Sequence, residues 1–225
     1  HKLSTPASTS LPVTRIAASP LPTPASVHPR TGQSMSGAEI IVQVLADEGV
    51  DTIFGYSGGA ILPTYDAIFR HNDQQSQRAA GARPMPLIVP ANEQGAGFMA
   101  AGYARASGKV GVCVVTSGPG ATNTVTPVRD CAADSIPIVV ICGQVGTSAI
   151  GSDAFQEAPV SNIMGAVAKH CFLVTDPAKL EATVRTAFEI ARSGRPGPVV
   201  IDIPKDVQNW QGNYQGSGLL PMRGY

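Results

Sequence analysis

Gly111-Val112-Cys113-Val114-Val115-Thr116-Ser117-Gly118-Pro119-Gly120-Ala121 runs an unbroken apolar stretch straight into a glycine-rich turn. A strand with one wet face alternates apolar and polar residues, whereas a run without alternation is buried on both faces. Ile138–Cys142 and Val199–Ile203 repeat the pattern, and shorter runs at Thr52–Phe54, Leu87–Val89 and Phe172–Val174 read as further strands. Helical spacing fills the gaps, at about residues 60–70, 93–107, 121–133 and 177–193, with a polar loop over Asn72–Arg83. Ahead of them, Ser36-Gly37-Ala38-Glu39 is a capping box that opens a helix ended by Gly49. The fold class is α/β, a three-layer sandwich with a mostly parallel central sheet. Ligands of such sheets bind beyond the carboxyl ends of the strands. That places the chemistry at residues 56–60, 90–94, 117–123 and 143–156.

Composition bounds the function. The 225 residues carry 16 basic and 16 acidic side chains, so no electrostatic footprint for nucleic acid exists. No apolar run approaches the roughly 18 residues that cross a bilayer, and a soluble protein is expected. The four cysteines include no C-x-x-C pair; Cys113 and Cys142, inside apolar runs, read as small buried hydrophobes in a reducing compartment, and no metal ligands are read. Residues 1–35 contain no acid and are rich in Ser, Thr, Pro and Ala, with Lys2, Arg15 and Arg30. They read as a disordered leader of transit-peptide composition, or as a linker of the same composition. Residues 36–208 form the folded domain, and 209–225 read as a linker. A start at His1 reads as a piece of a longer protein.

Two near-motifs are set aside. Gly118 to Asn123 lacks the third glycine of a dinucleotide fingerprint, and Gly102 to Lys109 has the wrong spacing for a phosphate loop. Gly55-Tyr56-Ser57-Gly58-Gly59 fits a hydrolase nucleophile elbow, with Asp134 or Asp153 and His170 downstream. Against it, few strands precede the elbow, and His170 begins a strand.

Glu93 stands out. It opens a helix directly behind a strand, after Pro90-Ala91-Asn92. A helix-start acid favoured by the dipole, worth roughly 0.3–1 kcal/mol, is the ordinary explanation. Gly95 and Gly97 shift the balance, because glycine costs a helix about 1 kcal/mol relative to alanine. Something packs closely there.

These segments resemble the N-terminal, pyrimidine-binding domain of thiamine-diphosphate enzymes, most nearly the acetohydroxyacid (acetolactate) synthases. The resemblance rests on Tyr56–Pro63, Glu93–Gly97, Gly102–Lys109, Thr116–Asn123, Gly143–Val145, Ser193–Pro198 and Pro204–Val207, and above all on Thr147–Glu157 with its Ala-Phe-Gln-Glu block. It spans about residues 36–207 and implies the thiamine-diphosphate pyrimidine-binding fold. It implies that Glu93 hydrogen-bonds the cofactor's aminopyrimidine and helps remove the proton from thiazolium C2. Pyruvate then loses CO2, and its two-carbon unit joins a second 2-keto acid, pyruvate or 2-oxobutyrate, in branched-chain amino acid biosynthesis. It further implies that Gly58, Gly59 and Ala60 line the thiamine diphosphate, that Phe155, Gln156 and Lys205 border the substrate channel, and that Arg195 contacts FAD. For Arg195 the plain alternative is a cation at a helix C-terminus.

The family's Gly-Asp-Gly magnesium motif is absent from the 225 residues. Mg2+ binding and the FAD domain are therefore expected elsewhere in the whole protein, and this stretch is expected to be inactive alone. The resemblance implies a homo-oligomer, at least a dimer, with a regulatory subunit as a further partner, and an organellar location, mitochondrial rather than plastid. Departures from the family pattern fall at Asn92, Phe98, Ala101, Ser57, Gly146 and Ala132. They suggest a specialised paralogue less sensitive to synthase inhibitors, or an altered substrate choice. Another thiamine-diphosphate decarboxylase or carboligase is the alternative function; a Ser57 hydrolase or a non-catalytic homologue stands behind it.

Overall fold

A computed structural model describes residues 27–77 and 81–222. The leader reading of residues 1–26 lies outside the described residues. In chain order the elements are β1 (Ser34–Ser36), α1 (Gly37–Asp47), β2 (Ile53–Tyr56), α2 (Leu62–Ser76), β3 (Leu87–Ile88) and α3 (Glu93–Ser107). Then come β4 (Gly111–Val115), α4 (Pro119–Thr122), α5 (Val125–Asp134), β5 (Ile138–Gln144), α6 (Val160–Gly165) and β6 (His170–Leu173). The last are α7 (Leu180–Arg192), β7 (Val199–Pro204), α8 (Lys205–Asn209) and β8 (Gln211–Asn213).

Six strands form one parallel sheet in the order β3-β2-β4-β5-β7-β6. The unalternating Val/Ile runs have the expected cause, since successive residues enter different cores. Val112, Val114, Val139, Ile141, Val199 and Ile201 pack under α1, α2 and α7. Cys113, Val115, Val140, Cys142 and Val200 pack under α3, α5 and α6. Each fully buried side chain of this size contributes roughly 1.5–3 kcal/mol. The result is the expected three-layer α/β sandwich. Cys113, Cys131 and Cys142 are buried thiols, and burial pushes Cys131 up to about 12.

Local signals set the helix ends. Ser36 Oγ accepts from Glu39 N at 3.1 Å, and Ser36 N donates to Glu39 Oε2 at 2.7 Å, completing the capping box. Two elements differ from the sequence reading. The helix expected over 121–133 is two helices, because Thr124 Oγ turns back to the Ala121 carbonyl at 2.7 Å. α2 continues to Ser76, through the start of the expected loop, because Asn72 clamps both backbone groups of Met85 (2.9 and 2.7 Å).

The domain boundaries drawn at residues 35 and 209 also move outward. β1 pairs antiparallel with β8, and Tyr214, completely buried, exchanges backbone hydrogen bonds with Gly32 and Gln33. Its hydroxyl is held by Asp47 and Arg185, while Gln43, His28 and Arg185 also bond Asp47. Burial pushes the Asp47 carboxyl up, but the bonds from Tyr214, Arg185 and Gln43 outweigh it and hold the group below its usual range. The polar composition of both flanks hides these few anchors, which reach the core through side chains of α1 and α7.

Candidate active site

Because the sheet is parallel, the turns after its strands converge on one edge, and Thr116 is their hub. Ala60 N donates to Thr116 Oγ1 at 3.3 Å. A Cβ at Gly58 or at Gly120 would overlap the Thr116 side chain, so both glycines are required for this approach. Gly143, near the end of β5, presses on the Ala60 carbonyl in the same way. From the other side Gln208 of α8 donates to that carbonyl at 2.8 Å. The Gly58-Gly59-Ala60 turn is thereby clamped by three elements.

Glu93 is the first residue of α3, whose cap is Asn92, with Oδ1 accepting from Gly95 N at 2.8 Å. Asn123 Nδ2 donates to Glu93 Oε2 at 2.9 Å, while Oε1 faces Gly120. A half-buried carboxylate, a side-chain amide and a bare glycine turn thus lie side by side above Thr116. The charge is felt below: burial first, then Glu93, pushes the Cys113 thiol up. Gly97, the other costly helix glycine, is where Pro127 of α5 packs against the backbone of α3.

The segment between β5 and α6 borders the same edge. Gly118, at φ +49°, has its Cα against the Gln156 carbonyl. Gln156 itself takes φ +57°, and Phe155 is 88% exposed. Glu157 pins the loop from inside, accepting from Gly151 N and from Ala154 N (3.0 Å), and these bonds hold its carboxyl low. Lys205 is exposed at the start of α8, next to Asp206, which accepts from Thr147 N at 3.0 Å. Glu93, Gly58, Gly59, Ala60, Phe155, Gln156 and Lys205 therefore share one edge.

Arg195 does not join them. It precedes β7, at the opposite edge, and bonds Ser135 Oγ (2.8 Å) and the carbonyls of Ala132 (3.2 Å) and Ala133 (3.0 Å). These bonds place a cation at the C-terminal end of α5. The hydrolase triad also fails to assemble: Ser57 follows β2, but His170 begins β6 at the far edge, and Asp134 pairs with Arg105 at 2.7 Å. A cleft of about 970 Å³ at that far edge, lined by His28, Arg30, Asp47 and Lys109 among others, holds none of the site residues. Asn123 and Thr116 stand in the Thr116–Asn123 motif without a chemical signal of their own, and only the fold brings them to Glu93 and to the Gly58–Ala60 turn.

Residues 35–165 match the family described as thiamine pyrophosphate enzyme, N-terminal TPP binding domain. The acetolactate synthase large subunit of Corynebacterium glutamicum is 44% identical over 93% of this chain and 32% of that protein. The acetolactate synthase catalytic subunit, mitochondrial, of Saccharomyces cerevisiae is 54% identical over 77% of this chain and 24% of that protein. The acetolactate synthase isozyme 2 large subunit of Escherichia coli is 47% identical over 80% of this chain and 31% of that protein. The chain spans about a quarter to a third of the length of these relatives.

Proposed function

We propose a function from one premise: the chain belongs to the thiamine pyrophosphate enzymes and carries their N-terminal TPP binding domain. On that premise it is the pyrimidine-binding part of an acetolactate synthase catalytic subunit, condensing pyruvate with pyruvate or 2-oxobutyrate and releasing CO2. The observation that carries the reading is the Glu93 carboxylate, held by Asn123 over the Gly120 turn at the carboxyl edge of the sheet.

The residues present fit the aminopyrimidine half of thiamine diphosphate. A flat ring needs a close-approach surface, and Gly58 and Gly120 leave one beside a carboxylate able to exchange a proton with a ring nitrogen. The cofactor, when bound, supplies the carbanion chemistry. Glu93 holds or takes the proton at the ring nitrogen, and Asn123 fixes which carboxylate oxygen is presented. Gly58, Gly59 and Ala60 set the floor, and Phe155, Gln156 and Lys205 border the keto-acid path. Magnesium is assigned to another part of the whole protein. FAD belongs to the proposal for the whole enzyme, with Arg195, which bonds the end of α5, as its contact from this domain. A homo-oligomer and a regulatory partner are proposed on the resemblance. A mitochondrial location is proposed on the composition of the leader and the naming of the yeast relative. Among the described residues no helix is long and apolar enough to cross a membrane.

The test is acetolactate formation from pyruvate by the full-length protein with thiamine diphosphate, Mg2+ and FAD. Glu93→Gln is expected to lower kcat by about 10²-fold or more, the scale of acid–base assistance. Cofactor binding without product from the wild type would overturn the reading.

A further inference from the structure

Two polar side chains are sunk into the apolar layer under α6. Gln144, at the end of β5, is 2% exposed, and Asp202, in β7, is 1% exposed. Cys142 pairs with Asp202 across the two strands, so Gln144 and Asp202 are diagonal neighbours on one face of the sheet. Gln144 Nε2 donates to Asp202 Oδ2 at 2.9 Å and to the Ala158 carbonyl at 3.3 Å, and its Oε1 accepts from Val145 N at 2.9 Å. Val145 opens the segment between β5 and α6, and Ala158 lies near its close. One buried amide therefore fastens both ends of the loop that carries Phe155 and Gln156.

Asp202 is an odd residue for this place. Its Oδ1 has no hydrogen-bond partner, and among the described residues no cation pairs with it. A buried carboxyl satisfied on one side only is costly, and apolar residues fill the rest of the strand. What it does provide is a fixed acceptor that turns the Gln144 amide so that its second N–H and its oxygen meet the loop ends.

We propose that Asp202 and Gln144 are a positioning pair, with Asp202 orienting the Gln144 amide and that amide setting the 145–158 loop against the Gly118 turn. Its consequence for keto-acid affinity rests on the reading of Phe155 and Gln156 as channel residues. The pair acts on the loop and leaves Glu93 and the cofactor floor untouched.

The experiment compares full-length wild type, Gln144→Leu, Gln144→Asn, Asp202→Leu and Asp202→Asn, loaded with thiamine diphosphate, Mg2+ and FAD. Hydrogen exchange of residues 145–158 and steady-state kinetics with pyruvate are read on each. Gln144→Leu, Gln144→Asn and Asp202→Leu are expected to speed exchange of the loop and to raise KM by roughly three- to tenfold, the range of one lost hydrogen bond, with kcat nearly unchanged. Asp202→Asn keeps a carbonyl acceptor for Gln144 and is expected to restore both readouts toward wild type. Gln144→Asn is one methylene shorter and carries the test if leucine disturbs folding. Unchanged loop exchange in the Gln144 variants, or an Asp202→Asn protein no closer to wild type than Asp202→Leu, overturns the pairing. A wild type inert toward pyruvate sinks the synthase reading instead, and the exchange rates then decide the pairing alone.

Discussion

Asp202→Asn should convert a pH-dependent stability into a flatter one. Burial raises the Asp202 carboxyl from the ordinary 3.8 to about 7, and the Gln144 bond offsets this only in part. Below about pH 4 the folded and unfolded chains both hold the proton, so Asp202 adds no slope. Between about pH 4 and 7 the folded state keeps a proton that the unfolded state has released, and stability falls by about 1.4 kcal/mol per pH unit. Above pH 7 both states are ionised and the loss is complete, at about 4 kcal/mol as an upper value. Relaxation around a buried charge trims such penalties, so a net change of roughly 2–4 kcal/mol is expected. Asparagine has the same shape and no proton to lose. Urea unfolding of wild type and variant, from pH 4.5 to 8.5 by circular dichroism, isolates this group because all other titrations cancel in the difference. The variant should gain on the wild type steadily up to neutrality and then hold its advantage. A difference that stays constant across that range would refute the reasoning.

Tyr214→Phe removes a hydroxyl that donates to Asp47 and accepts from Arg185, and should destabilise the protein by about 1–3 kcal/mol; it should also shift the acid-unfolding midpoint upward, since Asp47 loses part of what holds its carboxyl low. Gly118→Ala forces a side chain into a left-handed backbone, at about 1–2 kcal/mol, and against the Gln156 carbonyl, whereas a Cβ at Gly59 meets nothing within 4 Å. Thermal unfolding should rank Gly118→Ala well below Gly59→Ala. Ser36→Ala deletes half of the capping box and should cost roughly 0.5–2 kcal/mol in urea titrations.

The layered sheet was legible because Val112, Val139 and Val199 lie in strands with no polar alternation, and two-faced burial leaves that mark. Glu93 was legible because a strand, an acid and two helix glycines adjoin in sequence. What stayed hidden depends on contacts between distant residues. Asp202 sits inside Val-Val-Ile-Asp-Ile-Pro with nothing nearby to show that Gln144 lies beside it on the next strand. Tyr214 stands in a glycine-rich tail, and its partners Asp47 and Arg185 come from elements far away in the chain. Arg195 follows α7 in sequence, but its side chain bonds the end of α5, a pairing that spacing does not show. Pairwise geometry across a sheet is written in neither composition nor spacing.

The β1–β8 ladder also decides how the domain bears load. Ser34 faces Asn213 and Ser36 faces Gln211, so the flanking chains leave from the same end of the ladder. Tension between them peels the rungs one after another instead of shearing all three together. The Tyr214 latch and this short ribbon yield first, and the six-stranded sheet, enclosed within the loop they close, carries no force until they have gone. The ribbon works as a mechanical fuse: a tug from either flank opens a small seam and leaves the carboxyl edge of the sheet in place.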